Sequence, residues 1–313
     1  MTHAIDVQKL RKRYGDRDAV RDVSFTVDPG EVFCLLGPNG AGKTTTTEIL
    51  EGYRLADGGT VRVLGHDPAA DERGFRERIG IVLQECGVQP DLSVAELVRM
   101  YGRYYPHPRP VDELLDLVGL TEKRNSRAKT LSGGQKRRLD LALGLVGDPE
   151  LLFLDEPTTG FDPSARRAAW ATIRDLCALG KTVFLTTHFM DEAQELADRI
   201  AVIANGSIVA MGTPDELGGR DTAATEIRFH LPAGLTTADL PSLPSATVSA
   251  GEHGVLVRST EGIAVTNVIT GWAIKRRVTL ANFSVSQPSL EDMYLRLTAD
   301  AHATTNEPVG SIR

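Results

Sequence analysis

Long apolar runs are missing from this sequence. Nowhere in its 313 residues do about 18 apolar residues follow one another, the length a membrane helix needs. The chain is therefore expected to supply no membrane span, and work at a membrane would require another polypeptide. Residues 1–10 lack the apolar stretch of a secretory signal. Cysteine is scarce. Cys34, Cys86 and Cys177 are the only three, lie far apart and form no C-x-x-C pair. That excludes a zinc ribbon and a disulfide framework, and suits a reducing compartment. A basic excess is missing too. The 35 Lys and Arg face 42 Asp and Glu, a net charge of −7, which argues against a dedicated nucleic-acid binder.

What is present is ordinary globular material, 41% hydrophobic and 25% charged, enough for about two domains. Val32–Leu36, Leu151–Leu154 and Thr182–Thr186 read as strands buried on both faces. Helical patterns at Lys43–Glu51, Val111–Val118, Lys136–Val146, Ser164–Leu179 and Asp191–Ala197 separate them. Residues 5–10 alternate weakly; Arg21–Val27, Val61–Leu64 and Ile79–Gln84 are further strand candidates. Ser93 and Glu96 stand in capping-box spacing, and the prolines of Tyr101–Pro110 must break the helix that follows. Ile200–Ile203 and Ser207–Ala210 read as a hairpin around Asn205-Gly206. The alternation predicts an α/β fold with a mainly parallel sheet. After a small polar stretch come strand patterns at Glu226–His230, Thr247–Ala250, Val255–Arg258 and Val278–Val285. With helical spacing at Ile263–Ile274 and from Ser289 onward, they predict a separate small α+β unit.

The chemistry-bearing residues lie in the first part. Gly37, Pro38, Asn39, Gly40, Ala41, Gly42, Lys43 and Thr44 match G-x-x-x-x-G-K-[ST] between a buried strand and a helix, with Thr45 next in line. Such a loop wraps backbone N–H groups around phosphates at a helix N-terminus. Lys43 can neutralise β- and γ-phosphate charge, and the Thr44 hydroxyl can ligate Mg²⁺. At the end of the second buried strand Asp155 is placed to hold Mg²⁺ through its water shell, and Glu156 to orient or deprotonate an attacking water. Leu131, Ser132, Gly133, Gly134 and Gln135 form a second anion-binding helix start.

This combination resembles the ATP-binding cassette (ABC) ATPases over about residues 4–217, with 131–135 as the family's signature. The resemblance assigns further roles. Tyr14 stands at the adenine-stacking aromatic. Gln84 matches the glutamine that touches the metal and the nucleophilic water. Asp162, in Gly160-Phe161-Asp162, matches the loop that crosses to the other subunit, with Phe161 where the family has leucine. His188 matches the switch histidine of the γ-phosphate. ATP and Mg²⁺ are the implied ligands; Glu156, His188 and Gln84 the implied catalytic group; Thr44, Gln84 and Asp155 the implied metal ligands. The implied fold is a P-loop cassette: a mainly parallel core sheet, an antiparallel N-terminal subdomain and a helical subdomain at about 90–147. The expected boundaries are a cassette at 1–217, a linker at 218–225, an α+β accessory domain at 226–300 and a mobile tail at 301–313.

Head-to-tail pairing is implied as well, with Ser132 and Gly134 of one copy completing the site on Gly37–Thr44 of the other. One cassette without a span implies an integral-membrane permease as partner and a place at the cytoplasmic face of the cell membrane; no nucleic-acid partner is expected. The Tyr101–Pro110 aromatics are either permease contacts or parts of a core or rigid loop. Residues 144–149, 158–163 and 287–298 look like the daunorubicin-resistance type of bacterial exporter ATPase, implying efflux of drugs, antibiotics or lipids. An importer ATPase with a C-terminal regulatory domain and a soluble non-transport ABC ATPase are the alternatives.

Overall fold

The computed structural model describes residues 3–70, 73–82, 87–178, 180–218, 224–251 and 254–286. Gln84, Cys86, most of the 218–225 stretch, the helical pattern from Ser289 and the tail lie outside the described residues. The chain divides into two compact units between Thr213 and Pro214. Among the described residues no helix is long and apolar enough to cross a membrane.

The first unit opens with a long hairpin, β1 (Ile5–Tyr14) and β2 (Arg17–Val27), and continues into β3 (Val32–Leu36) and α1 (Lys43–Leu50). Next come β4 (Gly58–Val63), the single-turn α2 (Arg73–Arg76) and β5 (Ile79–Val82). Strand β1 runs four residues beyond the alternation visible in sequence. Its pairing with β2 shifts register between Val7 and Leu10 and again before Tyr14, and such bulges break the period of two. The helical region follows as α3 (Val94–Gly102), α4 (Val111–Leu117) and α5 (Gly133–Leu145). The Ser93–Glu96 capping box closes as its spacing requires, with Ser93 N–H donating to Glu96 Oε2 at 2.8 Å. Helix α5 starts at Gly133 rather than Lys136. Ser132 is its N-cap and exchanges hydrogen bonds with Gln135, so both glycines lie inside the first turn.

The unit ends with β6 (Leu151–Asp155), α6 (Pro163–Ala178), β7 (Thr182–Thr187), α7 (Met190–Leu196), β8 (Arg199–Ala204) and β9 (Ser207–Gly212). The described strands of this unit form two sheets. One is antiparallel, in the order β2-β1-β4; the other runs β5-β6-β7-β3-β8-β9, parallel except for β9. Helices flank such a sheet, so its central strands are buried on both faces; β3 and β7 are buried at every position. Stacked rings of Phe25, Phe33 and Phe184, with Phe153 tilted against Phe184, join the two sheets in one core.

The second unit contains α8 (Pro214–Leu217), β10 (Thr225–His230), β11 (Ala246–Gly251), β12 (Gly254–Ser259), α9 (Gly262–Arg276) and β13 (Ala281–Ser286). Its sheet, β11-β12-β10-β13, is antiparallel. Val265 and Ile269 of α9 pack on Ile227, Phe229, Val255 and Val257. Strand β13 starts three residues later than its pattern suggests. Val278 still closes α9, donating to Ala273 O at 2.9 Å beyond the left-handed Arg277.

Candidate functional site

Three neighbouring strands of the mixed sheet, β6, β7 and β3, end together, and most of the candidate residues leave from those ends. Beyond β3 the chain turns sharply. Gly37 is buried, donates its N–H to Thr187 O at 3.2 Å, and leaves no room for a side chain: a Cβ there would lie 2.3 Å from Ile203 O. Gly42 caps α1 at φ 108°, a left-handed conformation suited to glycine. Between them Pro38 accepts from Ala41 N–H at 3.2 Å. Lys43 folds back into this turn. Its ammonium donates to Gly37 O at 2.8 Å and Pro38 O at 3.2 Å.

The same ammonium lies 3.3 Å from Glu156 Oε1, and His188 Nδ1 reaches that oxygen at 3.2 Å. Burial pushes the Glu156 carboxyl up, but His188 and Lys43 outweigh burial and hold it below the ordinary carboxylate value. Glu156 sits at φ 46°, uncommon for a side-chain-bearing residue and a store of backbone strain. Its N–H donates to Thr186 O at 3.0 Å. Asp155 accepts a short hydrogen bond from the Thr186 hydroxyl.

A cavity of about 530 Å³ opens here. Asn39, Gly40, Gly42, Lys43, Thr44 and Thr45 form one wall, Asp155 and Glu156 another, and Tyr14 stands at the rim. Tyr14 is 40% exposed, with the Arg54 guanidinium 5.2 Å from its ring centre. Arg17 also lines this cavity and donates to Gly40 O at 3.0 Å. Sequence reasoning passed over it, because one arginine in a hairpin full of charges carries no motif.

The second group of candidates lines a different cavity, of about 890 Å³. Ser132, Gly133 and Gly134 face Thr159, Gly160, Phe161 and Asp162 across it. The Ser132 hydroxyl accepts from Gln135 N–H at 3.3 Å, and Gln135 Oε1 accepts from Ser132 N–H at 3.0 Å. Asp162 accepts from Ala165 N–H at 2.8 Å at the start of α6. The two cavities share no lining residue. Gln84, the remaining candidate, lies outside the described residues.

Residues 20–159 match the ABC transporter family, a span holding the phosphate loop, the signature and the Asp155-Glu156 pair. Residues 225–289 match the C-terminal domain of ABC transporter domain-containing proteins. The chain is 43% identical to the Nod factor export ATP-binding protein I of Paraburkholderia xenovorans, over 80% of this chain and 84% of that protein. It is 38% identical to the protein of the same name from Ralstonia nicotianae, over 95% of this chain and 94% of that one. Among solved structures, CbiO1 of Clostridium perfringens, part of the ABC transporter complex CbiONQ, superposes with a TM-score of 0.63 at 28% identity. That match covers 71% of this chain and 92% of CbiO1. The fold, the two glycine-rich helix starts and these relatives agree: the chain belongs to the ABC transporter family, as one of its ATP-binding, ATP-hydrolysing subunits.

Proposed function

We propose that this chain is the ATPase subunit of a bacterial exporter and works as two copies docked on a separate membrane permease, at the cytoplasmic face. The observation that carries the paired state is the separation of the two cavities. Lys43 and Ser132 belong to one reaction in this family, yet within one chain they line different cavities. A second copy, turned head to tail, brings each signature to the other's phosphate loop and uses the same two surfaces twice. The outward direction is supported by the relatives, which are named as export proteins. Residues 144–149, 158–163 and 287–298 further support the daunorubicin-resistance type, with a drug, antibiotic or lipid as cargo.

ATP is the substrate. The N–H groups of Gly40–Thr45 and the α1 N-terminus receive its phosphates, with Lys43 transferring its ammonium from Gly37 O and Pro38 O to them. Tyr14 carries the adenine by stacking. The donor chemistry fits Mg²⁺: the Thr44 hydroxyl and the Asp155 carboxylate are hard oxygen ligands in one cavity. Among the described residues no three His, Cys, Asp or Glu side chains gather as a ready-made metal cluster, so phosphate oxygens and water would complete its shell. When bound, the ion supplies charge neutralisation at the phosphates. Glu156, ionised at neutral pH, takes the proton of the attacking water, and His188 holds the γ-phosphate side beside it. Ser132, Gly133, Gly134 and Gln135, with Asp162, close the partner's site.

The test is Glu156→Gln in the full-length chain. ATP binding is expected to persist, turnover to fall about 10²- to 10⁴-fold as for loss of a general base, and an ATP-dependent dimer to accumulate in light scattering. Turnover at the wild-type rate overturns the base assignment. A strictly monomeric ATP-bound variant overturns the pairing. Copurification of a polytopic membrane protein with the tagged chain tests the permease.

A further inference from the structure

Helix α5 begins at the signature, where Ser132 caps it, and its second turn carries a side chain aimed at the opposite group of candidates. Arg137 is 11% exposed. Its Nε donates to Pro157 O at 2.9 Å and one terminal nitrogen donates to Asp155 O at 3.2 Å. Its other terminal nitrogen lies 3.9 Å from Asp140 of the same helix. The two acceptors are backbone carbonyls on either side of Glu156. A guanidinium is a rigid planar fork, so it fixes the spacing of the oxygens it grips in a way an ammonium does not.

What lies between those carbonyls makes the grip consequential. Glu156 is the residue with φ 46°, and such a backbone persists only where its surroundings over-determine it. One restraint comes from β7, through Thr186 O and the Thr186 hydroxyl, both accepting from Glu156 N–H. A second is the turn's own: Thr159 N–H donates to Glu156 O at 3.2 Å, and the Thr159 hydroxyl to Glu156 Oε2 at 3.2 Å. A third comes from Arg137, the restraint that reaches the turn from α5. We infer that Arg137 is a positioning residue for Glu156: it holds the strained turn that aims the carboxylate, and it ties that turn to the helix whose first turn is the signature. This rests on the reading of Glu156 as the base, given above.

The experiment is a double-mutant cycle on the full-length chain with Mg-ATP. Arg137→Met keeps the aliphatic stem and removes every donor. It is expected to lower kcat about tenfold or more, as misplacement of a reacting group does, while KM and the affinity for a fluorescent ATP analogue change less than about twofold. Arg137→Lys, which keeps the charge and donors but loses the rigid planar fork, should fall between. In a Glu156→Gln background, single-turnover hydrolysis should show no further loss from Arg137→Met, because the two residues act through one group. Additive losses, or a rise in KM that accounts for the whole effect, overturn the inference. If Arg137→Met does not fold, the same cycle is run with Arg137→Lys, and additivity there is equally decisive. Failure of the underlying reading shows separately, as Glu156→Gln hydrolysing ATP at the wild-type rate.

Discussion

Glu51 ends α1 as its C-cap, yet it is only 5% exposed. Burial pushes its carboxyl from an ordinary 4.5 up to about 8, and repulsion from Asp155 and Glu48 acts in the same sense. Between those two values the folded chain keeps a proton that the unfolded chain has released. The contribution is therefore complete below pH 4.5 and is lost as pH rises through the window to about 8. At about 1.4 kcal/mol per pH unit, the loss comes to about 3 kcal/mol by pH 7 and about 5 well above pH 8. Glu51→Gln keeps the shape and removes the titration. The assay is urea unfolding without nucleotide or divalent ions, at steps from about pH 5 to about pH 8. A Trp272→Phe background leaves Trp170 of α6 to report the first unit. Wild type should lose about 3–4 kcal/mol relative to the variant across that range, other titrating groups cancelling in the difference. A difference that stays flat within about 0.5 kcal/mol refutes the reasoning, because Glu51 would then titrate like an exposed carboxylate.

Two further outcomes follow from packing. Gly37→Ala sets a Cβ 2.3 Å from the Ile203 carbonyl; overpacking of this kind costs about 1–3 kcal/mol. Because the displaced backbone is the phosphate loop, ATP affinity should fall about tenfold or more in equilibrium titration, and an unchanged affinity contradicts the close approach. Phe184→Ala removes the ring on which Phe25, Phe33 and Phe153 converge and should cost about 3–5 kcal/mol in denaturant unfolding. A loss below about 1 kcal/mol would mean that the core collapses freely around the gap.

The loop at Gly37–Thr44 was legible from the sequence because its geometry demands particular residues: glycine where a Cβ would strike Ile203 or where φ turns positive, and a lysine that folds back onto the turn. The Ser93 capping box and the Asn205-Gly206 hairpin were legible for the same local reason. What escaped was tertiary. Glu51 and Arg17 carry no motif, since burial and a hydrogen bond to Gly40 O are made by residues remote in sequence. Arg137 is one of three consecutive basic residues, and only the folded sheet shows which of them reaches Asp155 and Pro157. The bulges of β1 erased the alternation that marks a strand. The start of α5 moved because a serine cap with Gln135 outweighs the poor helix propensity of two glycines.

Strand β3, which launches the phosphate loop, has β7 and β8 as its neighbours, and both are encoded long after it. On the ribosome β3 emerges early and waits for Thr182–Thr187 to be made before its first sheet partner exists. At about 5–20 residues per second, a gap of roughly 150 residues lasts about eight to thirty seconds. Through that interval Val32–Leu36, apolar at every position, has no partner in the sheet to cover it. The nascent chain therefore offers an aggregation-prone segment before it offers an ATP site, and a chaperone that shields short apolar strands would have its strongest claim on this chain during synthesis.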